Sequence, residues 1–312
     1  MAKRCVLALE AASRLVRARA AMVHASIEAA RAEDPDGIHD LRVASRRLRA
    51  ALVAHRKVFM RGTRRPVTRR ARAITKALGK PRELDVTIAL LEKRRRRDGS
   101  VRAALAVALR RLRAERKALS ASVAEGASAA AFREFELALV DLFLGMRPPR
   151  TCYLKEAARA LCRRYSGARA VYLLWRGMPS EETLHCIRIC LKKLRYACEL
   201  YVPLYEERMD VFVAALKELQ DLLGTWNDRR LARDHVRRVL ASASPAPTGT
   251  EALLAELDQE AADCLRAFGE LGTRFFAAER AHETRAFFEE PTWACCRDAA
   301  PADQQVEAAY GE

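Results

Sequence analysis

Apolar residues recur at intervals of three and four along nearly the whole chain, a pattern typical of amphipathic α-helices. No segment alternates long enough between apolar and polar residues to predict a β-strand. The prolines of RPPR at 147–150 and SASPAPTGT at 242–250 stop any helix there. The sequence therefore predicts an all-α protein, with helices near 3–32, 37–60, 64–80, 82–97, 100–124, 128–146, 151–170, 180–203, 206–224, 227–241 and 251–290.

One helical pattern occurs twice. The segment IHDLRVASRRLRAALVAHRKVF at 38–59 aligns without gaps on LHCIRICLKKLRYACELYVPLY at 184–205, so that His185 follows His39 by 146 positions. Two units of this length indicate a tandem duplication rather than a solenoid. We expect one domain at 1–290 built from two similar helical-bundle halves about a pseudo-twofold axis. The halves are predicted at 5–147 and 151–290, and 291–312 is predicted to be a flexible tail.

The similarity continues downstream of each copy. ALGKPRELD at 77–85 resembles LLGTWND at 222–228, with a predicted helix that ends in Leu-Gly and is followed by an aspartate. Gly79 then matches Gly224, and a two-residue gap pairs Asp85 with Asp228.

Basic residues share one face of each repeated helix. At about 100° per residue, His39, Arg42, Arg46 and Arg49 lie together, opposite the apolar positions of the same helix. In the second copy His185, Arg188, Lys192 and Arg195 form the same pattern. Like charges four residues apart cost about 0.2–0.5 kcal/mol per pair, and nearby Asp40 and Glu199 are too few to neutralise them. The repetition of this costly pattern favours a binding function.

Further cations are expected from neighbouring helices. Arg72 and Lys76 precede Gly79, and Lys217 precedes Gly224 by the same seven residues that separate Arg72 from Gly79. If the two halves face each other, these side chains form a groove or channel. Guanidinium and ammonium groups are well suited to phosphate oxygens.

The charge of the whole chain agrees with an anionic ligand. The formal net charge is +17, and residues 1–150 carry 35 basic and 15 acidic side chains, a net of +20. Residues 241–312 carry 5 basic and 14 acidic side chains, a net of −9. A field of this sign attracts nucleic acid, anionic membrane or phosphate polymers.

The pattern H-x-x-R-x-x-x-[RK]-[RK]-L-R, in two copies that are each followed by Leu-Gly and Asp, resembles the CHAD family, the conserved histidine α-helical domain. The resemblance extends over roughly residues 5–290. It implies two four-helix-bundle halves around a basic central cavity, which binds inorganic polyphosphate, often in bacterial polyphosphate granules. The segment KPRELD at 80–85 departs from the family pattern, which tends to have an acidic pair there. By resemblance, the cavity is lined by His39, Arg42, Arg46, Arg49, His185, Arg188, Lys192 and Arg195, with Arg72, Lys76 and Lys217 joining from the flanking helices.

Other chemistries have weaker support. No phosphate-binding glycine loop is present, so we expect a binding protein without catalytic residues or cofactors. Phosphotransfer or metal binding through the paired histidines stays an alternative, although neighbouring arginines oppose a divalent cation. Cys186 and Cys190 could form half of a metal site with Cys295 and Cys296, but free thiols in a reducing cytoplasm are expected for all nine cysteines.

The main rival ligand is nucleic acid. The arginine faces fit phosphate neutralisation, but they lack the aromatic residues on which single-stranded bases stack. We therefore expect no specific nucleic acid and no membrane among the partners, since no window is apolar enough to span a bilayer. A scaffold that docks on acidic proteins is a third alternative, and it predicts basic faces that point outward. Localisation is expected in the cytoplasm, with association to polyphosphate granules left open.

Overall fold

A computed structural model describes residues 2–95, 99–149, 152–205, 207–243 and 245–291. Within these ranges the chain folds into α-helices and contains no β-strand, which confirms the predicted all-α class. The helices before the break at 147–150 are α1 (Ala2–Ala25), α2 (Ile27–Arg31), α3 (Pro35–Ala54), α4 (Arg61–Ala77), α5 (Gly79–Arg95), α6 (Arg102–Ala118), α7 (Ser120–Gly126) and α8 (Ala129–Leu144).

The second part of the chain has fewer and longer helices. No described helix is both long and apolar enough to cross a membrane. The helices are α9 (Tyr153–Gly177), α10 (Glu181–Tyr201), α11 (Glu207–Ala241), α12 (Thr250–Phe275) and α13 (Ala278–Glu289), with a 3-10 helix at Val202–Leu204.

The two repeated helices, α3 and α10, both begin at defined caps. Asp34 accepts a hydrogen bond from the backbone N–H of Gly37 at 2.8 Å, and Pro35 occupies the first turn of α3. At α10, Ser180 and Thr183 form a reciprocal capping box. A Cβ atom on Gly37 would lie 2.5 Å from the Cβ of Ala29, so glycine lets α3 start directly against α2. These contacts set where each cationic face begins.

The apolar faces of α3 and α10 are buried as predicted. Leu41, Leu48 and Leu52 of α3 are fully enclosed, and so are Ile187 and Leu191 of α10. Each buried side chain of this size contributes about 1.5–3 kcal/mol, far more than the repulsion between neighbouring cations costs. The hydrophobic faces therefore hold the basic residues in place.

The described core residues form two hydrophobic clusters, and both cross the break at 147–150. The larger cluster joins α1, α3, α4 and α8 to α9, α10, α13 and the first part of α11. The smaller joins α5 and α6 to the second part of α11 and the start of α12. Each hydrophobic cluster thus contains residues from both parts of the chain. Their superposition about a pseudo-twofold axis stays a prediction, and residues 292–312 of the predicted tail lie outside the described ranges.

The predicted helix end at Gly224 was wrong. The predicted helices 206–224 and 227–241 are one continuous helix, α11, and Gly224 lies inside it. Glycine costs about 1 kcal/mol inside a helix. Burial of Leu223 and Trp226 on either side offsets that cost.

The predicted single helix at 251–290 was also wrong, because the chain turns between Phe275 and Ala278. Side chains of α9 satisfy the backbone carbonyls that the turn frees. The Tyr165 hydroxyl donates to the carbonyl oxygen of Phe275 at 3.2 Å, and Arg169 Nε donates to that of Phe276 at 3.0 Å. Shorter interruptions divide the predicted helices 3–32 and 100–124, at Ser26 and Leu119.

Candidate anion-binding site

The basic face of α3 lies over the junction between α4 and α5. Arg42, Arg46 and Arg49 are half-buried, whereas His39 is exposed in the first turns of the helix. Arg42 Nη1 donates a hydrogen bond to the carbonyl oxygen of Thr75 at 2.9 Å. Burial, followed by the charges of Arg46 and Arg82, lowers the pKa of Arg42 to about 10. The fold therefore holds this guanidinium in a position where its charge is costly.

The basic face of α10 meets that of α3. Arg188, Lys192 and Arg195 are half-buried, and α10 packs directly against α3. Burial, and then the charges of Arg188 and Arg46, lower the pKa of Lys192 from its ordinary value of 10.5 to about 7. Arg46 also lowers the pKa of Arg188, after the effect of burial. The two predicted faces thus lie next to each other, and we call their six half-buried basic residues the cationic cluster: Arg42, Arg46, Arg49, Arg188, Lys192 and Arg195.

Several donors of the cationic cluster are unused. The Nε atoms of Arg42, Arg49 and Arg188 are buried and make no hydrogen bond with any described residue. A buried donor without an acceptor costs about 1–3 kcal/mol. An anion that supplied oxygen acceptors here would recover that cost, so the arrangement favours an anionic ligand.

Carboxylates neutralise the cluster only in part. Glu199 forms ion pairs with Arg47 of α3 and with Arg195 of α10, each with an N–O distance of 3.3 Å. Because Arg47 and Arg195 share this single carboxylate, Glu199 offsets the charge of Arg195 only in part and leaves the rest of both basic faces without a paired acid. Asp228 of α11 raises the pKa of both Arg188 and Lys192, without outweighing burial.

Asp85 and Asp228, which the sequence alignment pairs, have different charged neighbours in the structure. Asp85 pairs with Arg116 of α6 at 2.7 Å, whereas Asp228 acts on Arg188 and Lys192 of the cluster. The electrostatic role of Glu83 is comparable to that of Asp228. The charge of Glu83 raises the pKa of Arg42, as the charge of Asp228 raises the pKa of Arg188. Glu83 is held by His235 at 2.9 Å, a bond that is the largest cause of its lowered pKa. An ungapped alignment from Gly79 and Gly224 would have paired Glu83 with Asp228.

The flanking cations differ in their relation to the cluster. Arg72 is exposed on α4, and its charge is the largest cause, after burial, of the lowered pKa of Arg49. Lys76 and Lys217 are exposed on α4 and α11, and their place in the site stays a prediction. Arg82 was missed, although its charge affects both Arg42 and His39. Its position just after Gly79, in the downstream part of the repeat, was the available signal.

The paired histidines lie at the edge of the cluster. His39 is exposed, and partial burial together with Arg82 lowers its pKa. His185 is exposed and contributes to a cavity of about 320 Å³ with Trp226, Asn227 and Arg230 of α11. Both side chains can donate a hydrogen bond to an anion that extends beyond the arginines.

Metal binding by the cysteines and histidines stays unsupported by geometry. Among the described residues, no three histidine, cysteine or acidic side chains converge on a point that could hold a metal ion. The six cysteines whose side chains are described are free thiols. The side chain of Cys5 lies outside the described part, as do Cys295 and Cys296, and the expected absence of a metal stays a prediction.

The lowered pKa of Lys192 predicts a pH-dependent stability. Between pH 7 and about 10.5 the unfolded chain holds a proton on Lys192 that the native protein lacks, so the free energy of unfolding should rise with pH in that window. At and below pH 7 the wild type carries the full penalty of a buried charge, and Lys192→Met should then be more stable by about 1–3 kcal/mol. Urea unfolding at pH 6, 7, 8 and 9 measures this difference. Parallel pH profiles for the two proteins would contradict the assignment.

The fold and the cationic cluster describe an all-α protein in which two adjacent helices bring half-buried basic side chains together. A family model, the CHAD domain, matches residues 3–237, so the chain belongs to the CHAD domain family. No curated protein matches the sequence.

Solved structures that resemble this fold include a plant and a bacterial protein. The CHAD domain from the plant Ricinus communis is 18% identical, with a TM-score of 0.62, over 90% of this chain and 91% of that one. PptA from Streptomyces chartreusis is 17% identical, with a TM-score of 0.63, over 84% of this chain and 98% of that one. Similarity at this level of identity shows a shared fold.

Proposed function

We propose that this protein binds inorganic polyphosphate at the cationic cluster, without a catalytic step. The observation that carries the proposal is the meeting of two half-buried basic faces, where Arg46 lies close enough to Arg188 and Lys192 to lower the pKa of both. A bound polyanion relieves that repulsion and supplies acceptors for the unused Nε donors. Membership of the CHAD family, which is associated with polyphosphate binding, supports the same conclusion.

The aromatic residues near the site favour a phosphate polymer over nucleic acid. Arg195 lies over the Tyr196 ring at 5.6 Å from its centroid, and Arg230 lies over Trp226 at 5.8 Å. Both rings are buried and therefore cannot stack on bases. Polyphosphate presents closely spaced charges and needs no stacking surface, whereas sequence-tolerant binding of single strands normally uses one.

The paired histidines extend the proposed site as hydrogen-bond donors rather than as nucleophiles. Both are exposed, so a chain that leaves the cluster can reach them. Attachment of the protein to polyphosphate granules in the cytoplasm follows as the cellular consequence that we propose, because a granule presents many chains at once.

Titration with polyphosphates of graded length tests the proposed function. Affinity should increase with chain length until the cluster is filled and then level off per site. It should decrease steeply with salt, because binding releases condensed counterions. Calorimetry at fixed salt, with orthophosphate, ATP and duplex DNA as comparison ligands, measures both effects.

Competition separates polyphosphate from nucleic acid. At equal phosphate concentration, long polyphosphate should displace DNA or RNA from the protein. Displacement of polyphosphate by nucleic acid instead would overturn the proposal, and so would an affinity for orthophosphate equal to that for the long polymer.

A further inference from the structure

An open cleft of about 300 Å³ lies between α9, α10 and the end of α3. It lies on the side of α10 away from the cationic cluster. At about 100° per residue, Cys190 and Lys193 of the cleft point roughly opposite to Arg188 and Lys192 of the cluster. The two sites therefore use different faces of one helix. The cleft is lined by Val53, Ala54, Arg56, Glu156, Ala160, Arg163, Arg164, Gly167, Cys190 and Lys193.

Arg56 lines this cleft because α3 ends before it. A helix that continued to residue 60, as the sequence predicts, would keep Arg56 in line with Arg42 and Arg49. Instead α3 ends at Ala54 and is capped by His55, whose ring is buried. His55 bonds through Nδ1 to the carbonyl oxygen of Ala51 at 2.9 Å and through Nε2 to the Tyr153 hydroxyl at 3.1 Å. The capped end redirects Arg56 toward α9.

The cleft has an excess of positive charge. Arg56, Arg163, Arg164 and Lys193 contribute four cations, against the single carboxylate of Glu156. That carboxylate is already engaged outside the lining, with Lys57 at 2.8 Å and Arg159 at 3.6 Å. Glu156 also interacts with Arg56, but one carboxylate shared in this way leaves the lining with a net positive charge.

Arg164 forms the inner wall of the cleft. Its side chain is half-buried, and its Nε atom is enclosed without a hydrogen-bond partner among the described residues. Burial, and then the neighbouring charges of Arg163 and Arg56, lower its pKa, opposed by Tyr201. A guanidinium in this position is satisfied by a compact anion with several oxygen acceptors.

We propose that this cleft is a second anion site, separate from the cationic cluster, which binds a small ligand carrying one or two phosphate groups. The volume is at the lower end of the range for small-molecule sites and is too small for a folded polymer. Val53, Ala54 and Ala160 make one wall apolar, which suits the organic part of a phosphorylated small molecule. The cations of the lining suit its phosphate groups and equally suit free pyrophosphate. The inference does not depend on polyphosphate binding at the cluster.

The test uses the full chain with the cluster disabled by Arg46→Glu and Lys192→Glu. Calorimetric titration with pyrophosphate and, separately, with AMP should show one site per chain. Tighter binding of AMP assigns the site to organic phosphates, and tighter binding of pyrophosphate assigns it to the free anion. No saturable binding of either probe would overturn the proposal, whether or not the cluster binds polyphosphate.

Two further variants distinguish the cleft from general surface charge. Arg163→Ala with Lys193→Ala removes two exposed cations and should weaken binding at least tenfold, whereas Arg95→Ala with Arg110→Ala should change it less than twofold. Equal losses in the two pairs would overturn the proposal.

A steric variant keeps every charge. A Cβ on Gly167 meets no atom within 4 Å, so Gly167→Leu can occupy the mouth of the cleft without disturbing α9. It should weaken binding at least tenfold with an unchanged or higher Tm. Gly177→Leu, the same change at another open position of α9, is the control and should have no effect. Unchanged affinity in Gly167→Leu would show that the ligand binds elsewhere.

Discussion

We expect the double variant Arg46→Glu, Lys192→Glu to lose polyphosphate binding, with a decrease in affinity of about 10²–10⁴-fold. Each charge-assisted hydrogen bond to phosphate is worth about 1.5–3 kcal/mol, and the double change removes two of them and adds repulsion. Arg46 of α3 and Lys192 of α10 lie where the charges of the two helices interact, since the charge of Arg46 lowers the pKa of both Arg188 and Lys192. The new carboxylates lie among cations, so the fold should be retained. Calorimetry measures the affinity, and circular dichroism checks the helical content.

The matched control reverses two cations outside the cluster. Arg95→Glu with Arg110→Glu has the same change in net charge at exposed positions of α5 and α6 and should weaken binding less than threefold. Arg95 belongs to the run KRRRR at 93–97, which the sequence predicts to be a solvated helix end; Arg96 and Arg97 lie outside the described residues. If both double variants lose affinity equally, the protein is a diffuse cationic surface and the specific site does not exist.

Asp85→Ala is expected to lower the free energy of unfolding by about 3 kcal/mol while leaving polyphosphate affinity unchanged. Asp85 and Arg116 form a pair in which the side chains are 8% and 11% exposed. Removal of one partner leaves a nearly buried charge on Arg116, for which Glu33 at 3.0 Å is the remaining ion-pair partner among the described residues. Urea unfolding measures the loss, and titration of the folded variant measures the affinity.

An exposed pair provides the comparison for Asp85. Glu92 pairs with Arg113 where both side chains are substantially exposed, and Glu92→Ala should cost less than about 1 kcal/mol. Should Asp85→Ala lose ligand affinity while keeping its stability, the aspartate would belong to the binding site, as the sequence alignment with Asp228 suggests.

The cationic cluster lowers the stability of the native protein. Its half-buried charges repel one another and lower the pKa of Arg42 and Lys192, which opposes folding. The enclosed leucines on the opposite faces of α3 and α10 offset that cost. A polyanion that binds the native state should therefore raise the Tm in proportion to its affinity.

The local parts of the site could be predicted because they depend on helix periodicity. A helix that buries Leu41, Leu48 and Leu52 must present Arg42 and Arg49 together on a face away from those leucines, whatever it packs against. The same reasoning succeeded for α10. It failed at Gly224, where burial of Leu223 and Trp226 outweighs the low helix propensity of glycine, and at residue 276, where α9 supplies hydrogen bonds to the turn.

The sequence by itself determined the helical class and the two basic faces, since both follow from interactions within a few residues of one another. Only the tertiary structure decided that the faces meet at Arg46 and Lys192, and that Glu199 joins Arg47 to Arg195. It also placed Asp85 in an ion pair with Arg116 rather than in the site. Each of these contacts joins residues far apart in the chain or on different helices. Their formation depends on how the apolar faces pack, which no local pattern specifies.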